Sequence, residues 1–148
     1  MHRIGLAIME MLKRAADLRD QAARKQSLHP TDFGCISYLY GQDEPISPKQ
    51  IIARFGLTSG SGTALLDRLE QAGFVRRLPN PTDRRSVLIE LNRDAAAEPI
   101  AQYQKMQTAF RQLTDGFSDE ELDVVARFLE RFSELPIPDK RVKAAEPS

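Results

Sequence analysis

Residues 56–91 read GLTSGSGTALLDRLEQAGFVRRLPNPTDRRSVLIEL. From Ser59 to Ala72 the pattern is helical. Gly62, Leu65, Leu66 and Leu69 fall at i, i+3, i+4 and i+7, which puts them on one side, while Ser59, Gly60, Thr63, Ala64, Asp67 and Arg68 fall on the other. Thr58 is placed to cap this helix and Gly73 to end it. FVRRL and SVLIEL alternate and are rich in β-branched residues, so both read as strands. Between them, Pro79-Asn80-Pro81-Thr82-Asp83 is turn chemistry. The turn is longer than a minimal hairpin needs and makes a projecting wing with Arg84 and Arg85 at its tip. A helix slender enough to enter a groove, followed by an arginine-tipped ribbon, suits reading a DNA duplex from two sides.

Upstream, Ser47, Pro48 and Gln50 place a capping oxygen, a first-turn proline and a reciprocal N3 side chain in order. Ile51, Ile52 and Phe55 then face inward, and Gly56 stops that helix through a positive backbone angle. The helices on either side of Gly56 make a helix–turn–helix. Before them, Pro30 opens a helix with Phe33, Ile36, Leu39 and Tyr40 on its apolar side, closed by Gly41. A first helix, over about Ile4 to Ala22, carries a stripe of Ile4, Ile8, Met11, Ala15, Leu18 and Ala22 suited to core or dimer packing. Downstream, Asn92 is placed to cap a fifth helix with a stripe of Ile100, Tyr103, Met106, Phe110 and Leu113; Pro99 in it implies a kink or a late start. Ser118 and Glu121 form a second capping box for a last helix, expected to bury Leu122, Val125, Phe128, Leu129 and Phe132 before Leu135-Pro136 stops it. The remaining tail has too little apolar material to order itself. The fold class is therefore mainly α, an α+β winged helix–turn–helix with a two- or three-stranded sheet.

The 148 residues suit one compact domain, and 41% hydrophobic content supplies a core. No run approaches the roughly 18 apolar residues that span a bilayer, no signal-peptide pattern opens the chain, and a single cysteine precludes an internal disulfide framework. A cytoplasmic protein with no membrane partner is expected. The formal net charge is zero, yet residues 49–86 hold seven basic against three acidic residues, while residues 87–135 hold five basic against ten acidic. With screening over about 8–10 Å, the local surplus governs what the module attracts.

Taken together, the proline-started helix, the LTSGSGTALLDRLEQAGFVRR block and PTDRRSVLIEL resemble the winged helix–turn–helix regulators of the MarR family, closely from Leu28 to Leu91. The resemblance implies a winged module over 28–91, dimerisation helices over 1–27 and 92–135, and a flexible tail over 136–148. It implies a homodimer whose first and last helices interlock. It also implies a transcriptional repressor on double-stranded, palindromic operator DNA, released by a small aromatic or lipophilic effector or by oxidation. Carried over by position, Ser59, Gly60, Ser61, Thr63, Ala64 and Arg68 match the recognition-helix positions near DNA, and Asp83 and Arg85 match the wing's Asp-any-Arg pair. The chain departs from the family pattern at Asn92, where a threonine is usual, and in placing two glycines near the tip of the recognition helix.

The residues suggest how such an interface would work. Arg85, with Arg84 beside it, is placed for the minor groove, where the potential is most negative. Asp83 is positioned to hold the Arg85 guanidinium beforehand or simply to make the turn. Arg76 and Arg77 alternate across their strand, so one, taken as Arg77, aims at phosphate while the other pairs with an acid of the body. Arg68 is long enough for a phosphate or a guanine, or for a neighbouring acid. Ser47 and Lys49 stand where helix-terminal amides can hold a phosphate, although capping alone explains Ser47. Because Gly60 and Ala64 offer no hydrogen-bonding side chain, groove shape and water are expected to contribute to readout.

Other chemistry finds little support. Gly60-Ser61-Gly62 lacks the third small residue and preceding strand of a dinucleotide loop. His2 and His29 are too few and too far apart for a histidine-built metal site. Nothing pairs a nucleophile with a base, so neither an enzyme nor a cofactor is expected. Cys35, the only redox candidate, reads by default as a small buried residue beside Ile36 and would otherwise sense oxidants. Tyr38, Tyr40, Tyr103 and Phe110 are candidates to line an effector pocket or are plain core. The rival to DNA binding is a winged helix module that binds protein.

Overall fold

The computed structural model describes residues 2–136. The elements run α1 (His2–Lys25), α2 (Pro30–Tyr40), α3 (Pro48–Arg54), α4 (Ser59–Gln71), β1 (Val75–Pro79), β2 (Val87–Leu91), α5 (Ala97–Gln112) and α6 (Asp119–Ser133). The chain divides into two compact units, 1–108 and 109–148.

In the first unit, helix ends are set by local chemistry. Ser47 Oγ accepts the Gln50 amide at 3.2 Å while Gln50 Oε1 accepts the Ser47 amide at 2.9 Å, completing the expected capping box. Thr58 Oγ1 accepts the Ser61 amide at 3.2 Å at the start of α4. Three helices end alike. Gly56 (φ +59°) and Gly73 (φ +80°) carry the left-handed residue after α3 and α4, and the amide that follows each reaches back to the carbonyl of Ile52 and of Leu69. After α1 the same turn is made by Ser27 (φ +53°), with the Leu28 amide on the Ala23 carbonyl at 2.9 Å, so α1 runs past the Ala22 end suggested by its stripe.

β1 and β2 pair antiparallel with Arg76 opposite Glu90 and Arg77 opposite Ile89. Ile46 adds a single bridge to Ile89, which is the whole of the third strand. Ile36, Leu39, Ile51, Leu65, Leu66, Leu69, Val75 and Ile89 are buried together beneath the helix–turn–helix and the sheet. Ala22, Ala23 and Phe33 form a smaller cluster where α1 meets α2, with Tyr103 and Met106 packed on it. Asn92 caps a turn rather than α5 itself: its Oδ1 accepts the Ala95 amide at 3.3 Å, and α5 begins only at Ala97. Pro99 therefore sits in the first turn, where its missing N–H leaves no bond unmade.

In the second unit, Ser118 and Glu121 form the expected capping box of α6. The expectation that α6 buries its apolar stripe is corrected: Val125, Phe128 and Leu129 are exposed, and Leu122 and Phe132 are only half-buried. No described helix is long and apolar enough to cross a membrane. The expected tail lies, beyond Pro136, outside the described residues.

Candidate nucleic-acid interface

The outer face of α4 carries small side chains. Ser59, Gly60, Ser61, Thr63 and Ala64 are all exposed. Thr63 Oγ1 donates to the Ser59 carbonyl at 2.9 Å, and Ser61 Oγ lies 2.8 Å from Thr58 Oγ1. The inner face explains one of the two glycines. A Cβ on Gly62 would lie 2.3 Å from Ile52 Cγ1, so this glycine lets α4 approach α3. A Cβ on Gly60 would meet nothing within 4 Å.

The wing is knit by its own polar side chains. Asn80 Oδ1 accepts the Thr82 amide at 3.0 Å, and Asn80 Nδ2 donates to Ser86 Oγ at 2.9 Å. Asp83 Oδ1 accepts the Arg85 amide at 3.0 Å, and the Asp83 carbonyl accepts from the Ser86 amide at 3.1 Å. The anchoring role expected of Asp83 is thus corrected. Its carboxylate holds the Arg85 backbone in an Asx turn and not the guanidinium. Arg84 and Arg85 are exposed and in no ion pair among those described.

The remaining basic candidates are occupied differently from expectation. Arg68 donates from Nε and Nη2 to Asp32 Oδ2 and Oδ1 at 3.3 and 2.7 Å. The Asp32 side chain is only 10% exposed, so Arg68 neutralises a carboxylate that would otherwise be buried unpaired. Arg77, the strand arginine expected to aim at phosphate, instead donates from Nη2 to Asp67 Oδ1 at 2.6 Å and from Nη1 to Glu70. The hydrogen bond to Asp67, with both acids adding Coulomb attraction, raises the Arg77 pKa still further above its ordinary value. Arg76 pairs with Glu90 across the sheet at 2.8 Å. Both strand arginines are therefore bound to acids, because each faces one at hydrogen-bonding distance across the sheet or on α4.

Ser47 and Lys49 also separate. Ser47 Oγ and its amide are both used in the capping box, and Pro48 has no N–H, so the start of α3 offers little for a phosphate. Lys49 is exposed and in no described ion pair, as is Arg54, which sequence reasoning missed. Arg54 lies 5.6 Å from the Tyr38 ring centre.

The aromatic pocket candidates find separate partners within the first unit, except Phe110, which belongs to the second. Tyr38 packs edge-on against Phe55 at 5.9 Å, Tyr40 packs against Tyr103 at 6.1 Å, and Phe110 is an exposed residue of the second unit. Helical spacing gave no signal of which neighbour each ring would choose. Cys35 is fully buried, and burial, with the nearby Asp32 charge, pushes its thiol up to about 12. His29 caps α2, its Nδ1 accepting the Thr31 amide at 3.3 Å.

A three-helix core with a two-stranded ribbon, an exposed small-residue helix and an arginine tip defines a winged helix–turn–helix protein. The MarR family model matches residues 26–86. The HTH-type transcriptional regulator YcgE of Bacillus subtilis is 31% identical over 122 residues, covering 77% of this chain and 73% of that protein. PecS of Dickeya dadantii, also an HTH-type transcriptional regulator, is 35% identical over 104 residues, covering 69% of this chain and 63% of that one. A MarR variant from E. coli, solved in complex with operator DNA, is 25% identical with a TM-score of 0.65, over 90% of this chain and 94% of that one. The chain belongs to the MarR family of transcriptional regulators.

Proposed function

We propose that this regulator binds duplex DNA as a homodimer, with the outer face of α4 in the major groove and the wing tip in the adjacent minor groove. The observation that carries the reading is that Arg84 and Arg85, in no ion pair among the described residues, sit on a turn already fixed by Asn80, Asp83 and Ser86. A preformed tip meets the narrow groove without first ordering its backbone. Base contacts come from Ser59, Ser61 and Thr63, and the small side chains at Gly60 and Ala64 allow close approach. Lys49 and Arg54 supply further cations for phosphates.

The dimer is supported by apolar surface that the described residues of one chain leave exposed: Ile4, Leu6 and Met11 on α1, and Val125, Phe128 and Leu129 on α6. An isologous pair presents two modules and therefore favours a palindromic operator. That the E. coli relative is solved in complex with operator DNA supports duplex DNA as the partner. Repression, and release by a small aromatic or lipophilic effector, belong to this reading through family membership. In the test, duplexes retained by the protein from a random pool are sequenced. We expect a palindrome with half-sites about one helical turn apart. A pool that emerges without enrichment would overturn the reading.

A further inference from the structure

The seven basic residues between positions 49 and 86 fall into two classes. Lys49, Arg54, Arg84 and Arg85 are in no described ion pair, while Arg68, Arg76 and Arg77 are each held by acids. The partners of Arg77 differ from that of Arg68 in exposure. Asp32, the partner of Arg68, is nearly buried and needs a counter-charge; Asp67 and Glu70, the partners of Arg77, have side chains 49% and 38% exposed. Solvated pairs of that kind contribute little to stability. The cluster of Asp67, Glu70 and Arg77 is also negative overall, at the root of the wing and on the helix proposed to enter DNA. A surplus carboxylate there opposes phosphate. Neither stability nor attraction to DNA accounts for two acids on one arginine.

We propose that Asp67 and Glu70 are specificity-determining residues that withhold Arg77 from the duplex backbone, so limiting sequence-independent binding. The inference rests on the DNA-binding reading above. Phosphate contacts hold all sequences alike, whereas base contacts distinguish them. With Arg77 masked, less of the affinity is indifferent to sequence, and the wing root stays tied to the recognition helix.

The test is a cycle of variants of the full chain, titrated against a fluorescein-labelled mixed-sequence duplex about three helical turns long over a range of salt. The variants are Asp67→Asn with Glu70→Gln, Arg77→Gln alone, and all three together, with circular dichroism and melting temperature confirming folding. Asp67→Asn and Glu70→Gln singly each leave Arg77 one carboxylate, and serve if the pair together unfolds. The acid pair's replacement is expected to raise affinity several-fold and to steepen log K against log salt by about 0.9 per module, or about 2 per dimer. Arg77→Gln is expected to leave the slope unchanged on its own and to cancel the steepening in the triple variant. An Arg77→Gln slope change of the same size in both backgrounds, or no steepening when the acids are replaced, overturns the proposal while leaving DNA binding standing. Failure of the unsubstituted protein to bind the duplex at low salt removes the DNA reading and this inference together.

Discussion

The two faces of α4 are built from similarly small vocabularies and answer to different constraints. Inward, Gly62 is dictated by Ile52, whose Cγ1 would lie 2.3 Å from any added Cβ, and Leu65, Leu66 and Leu69 are fully packed. Outward, Gly60 has open space around it, and Ser59, Ser61, Thr63 and Ala64 are exposed. Glycine at one position is a packing requirement; at the other the fold makes no demand for it, which leaves the demand to whatever the face meets. Substitutions on the inner face should therefore cost stability, and those on the outer face should act chiefly on DNA binding.

Leu66→Ala sits furthest inside this contrast and should lower unfolding free energy by about 2–5 kcal/mol, read by urea denaturation. Gly62→Ala should cost about 1–3 kcal/mol through overpacking, and Ile52→Ala in the same chain should return part of it. A Gly62→Ala protein as stable as the parent would show that the α3–α4 contact yields freely. Arg85→Ala reverses the pattern: the melting temperature stays fixed while specific duplex affinity falls by about 1–3 kcal/mol, measured by anisotropy on a selected operator. Gly60→Ala should stabilise the free protein by at most about 1 kcal/mol, since the helix gains a better former, yet weaken the complex by filling the space left for a base edge. Tighter binding by this variant would place the groove elsewhere. Asp83→Asn should change almost nothing, because an amide oxygen makes the same Asx turn; a large loss of affinity would restore a charge role for Asp83.

The parts of this chain that sequence made legible are those in which cause and effect lie within a few residues. Caps at Ser47, Thr58 and Ser118 and stops at Gly56 and Gly73 involve one turn of backbone, and alternation within five residues places each strand. The wing's position and the exposed side of α4 follow from the same local rules. What sequence did not convey is which charge meets which. Arg68 finds Asp32 across 36 positions, and Arg77 turns back to α4, because an arginine has reach enough for several partners and only the folded path selects one. Asp67 and Glu70, spaced i and i+3 on the flank nearest the strand, were the available hint of that clamp. Asp83 illustrates the converse: of its two possible duties, turn-making needs only its neighbour's amide, and the shorter-range bond is the one formed. The uncovered face of α6 could be read as apolar, but periodicity does not say whether a stripe is covered by its own chain or by another.

Cys35 gives the molecule a built-in reporter of its own breathing. The chain has one thiol, wholly enclosed beneath the helix–turn–helix, and in the closed state almost none of it is ionised at neutral pH. Once exposed, the same sulfur returns to an ordinary acidity of about 8.5 and reacts. The rate at which an alkylating reagent labels the native protein therefore reports how often this core opens, without any engineered tag.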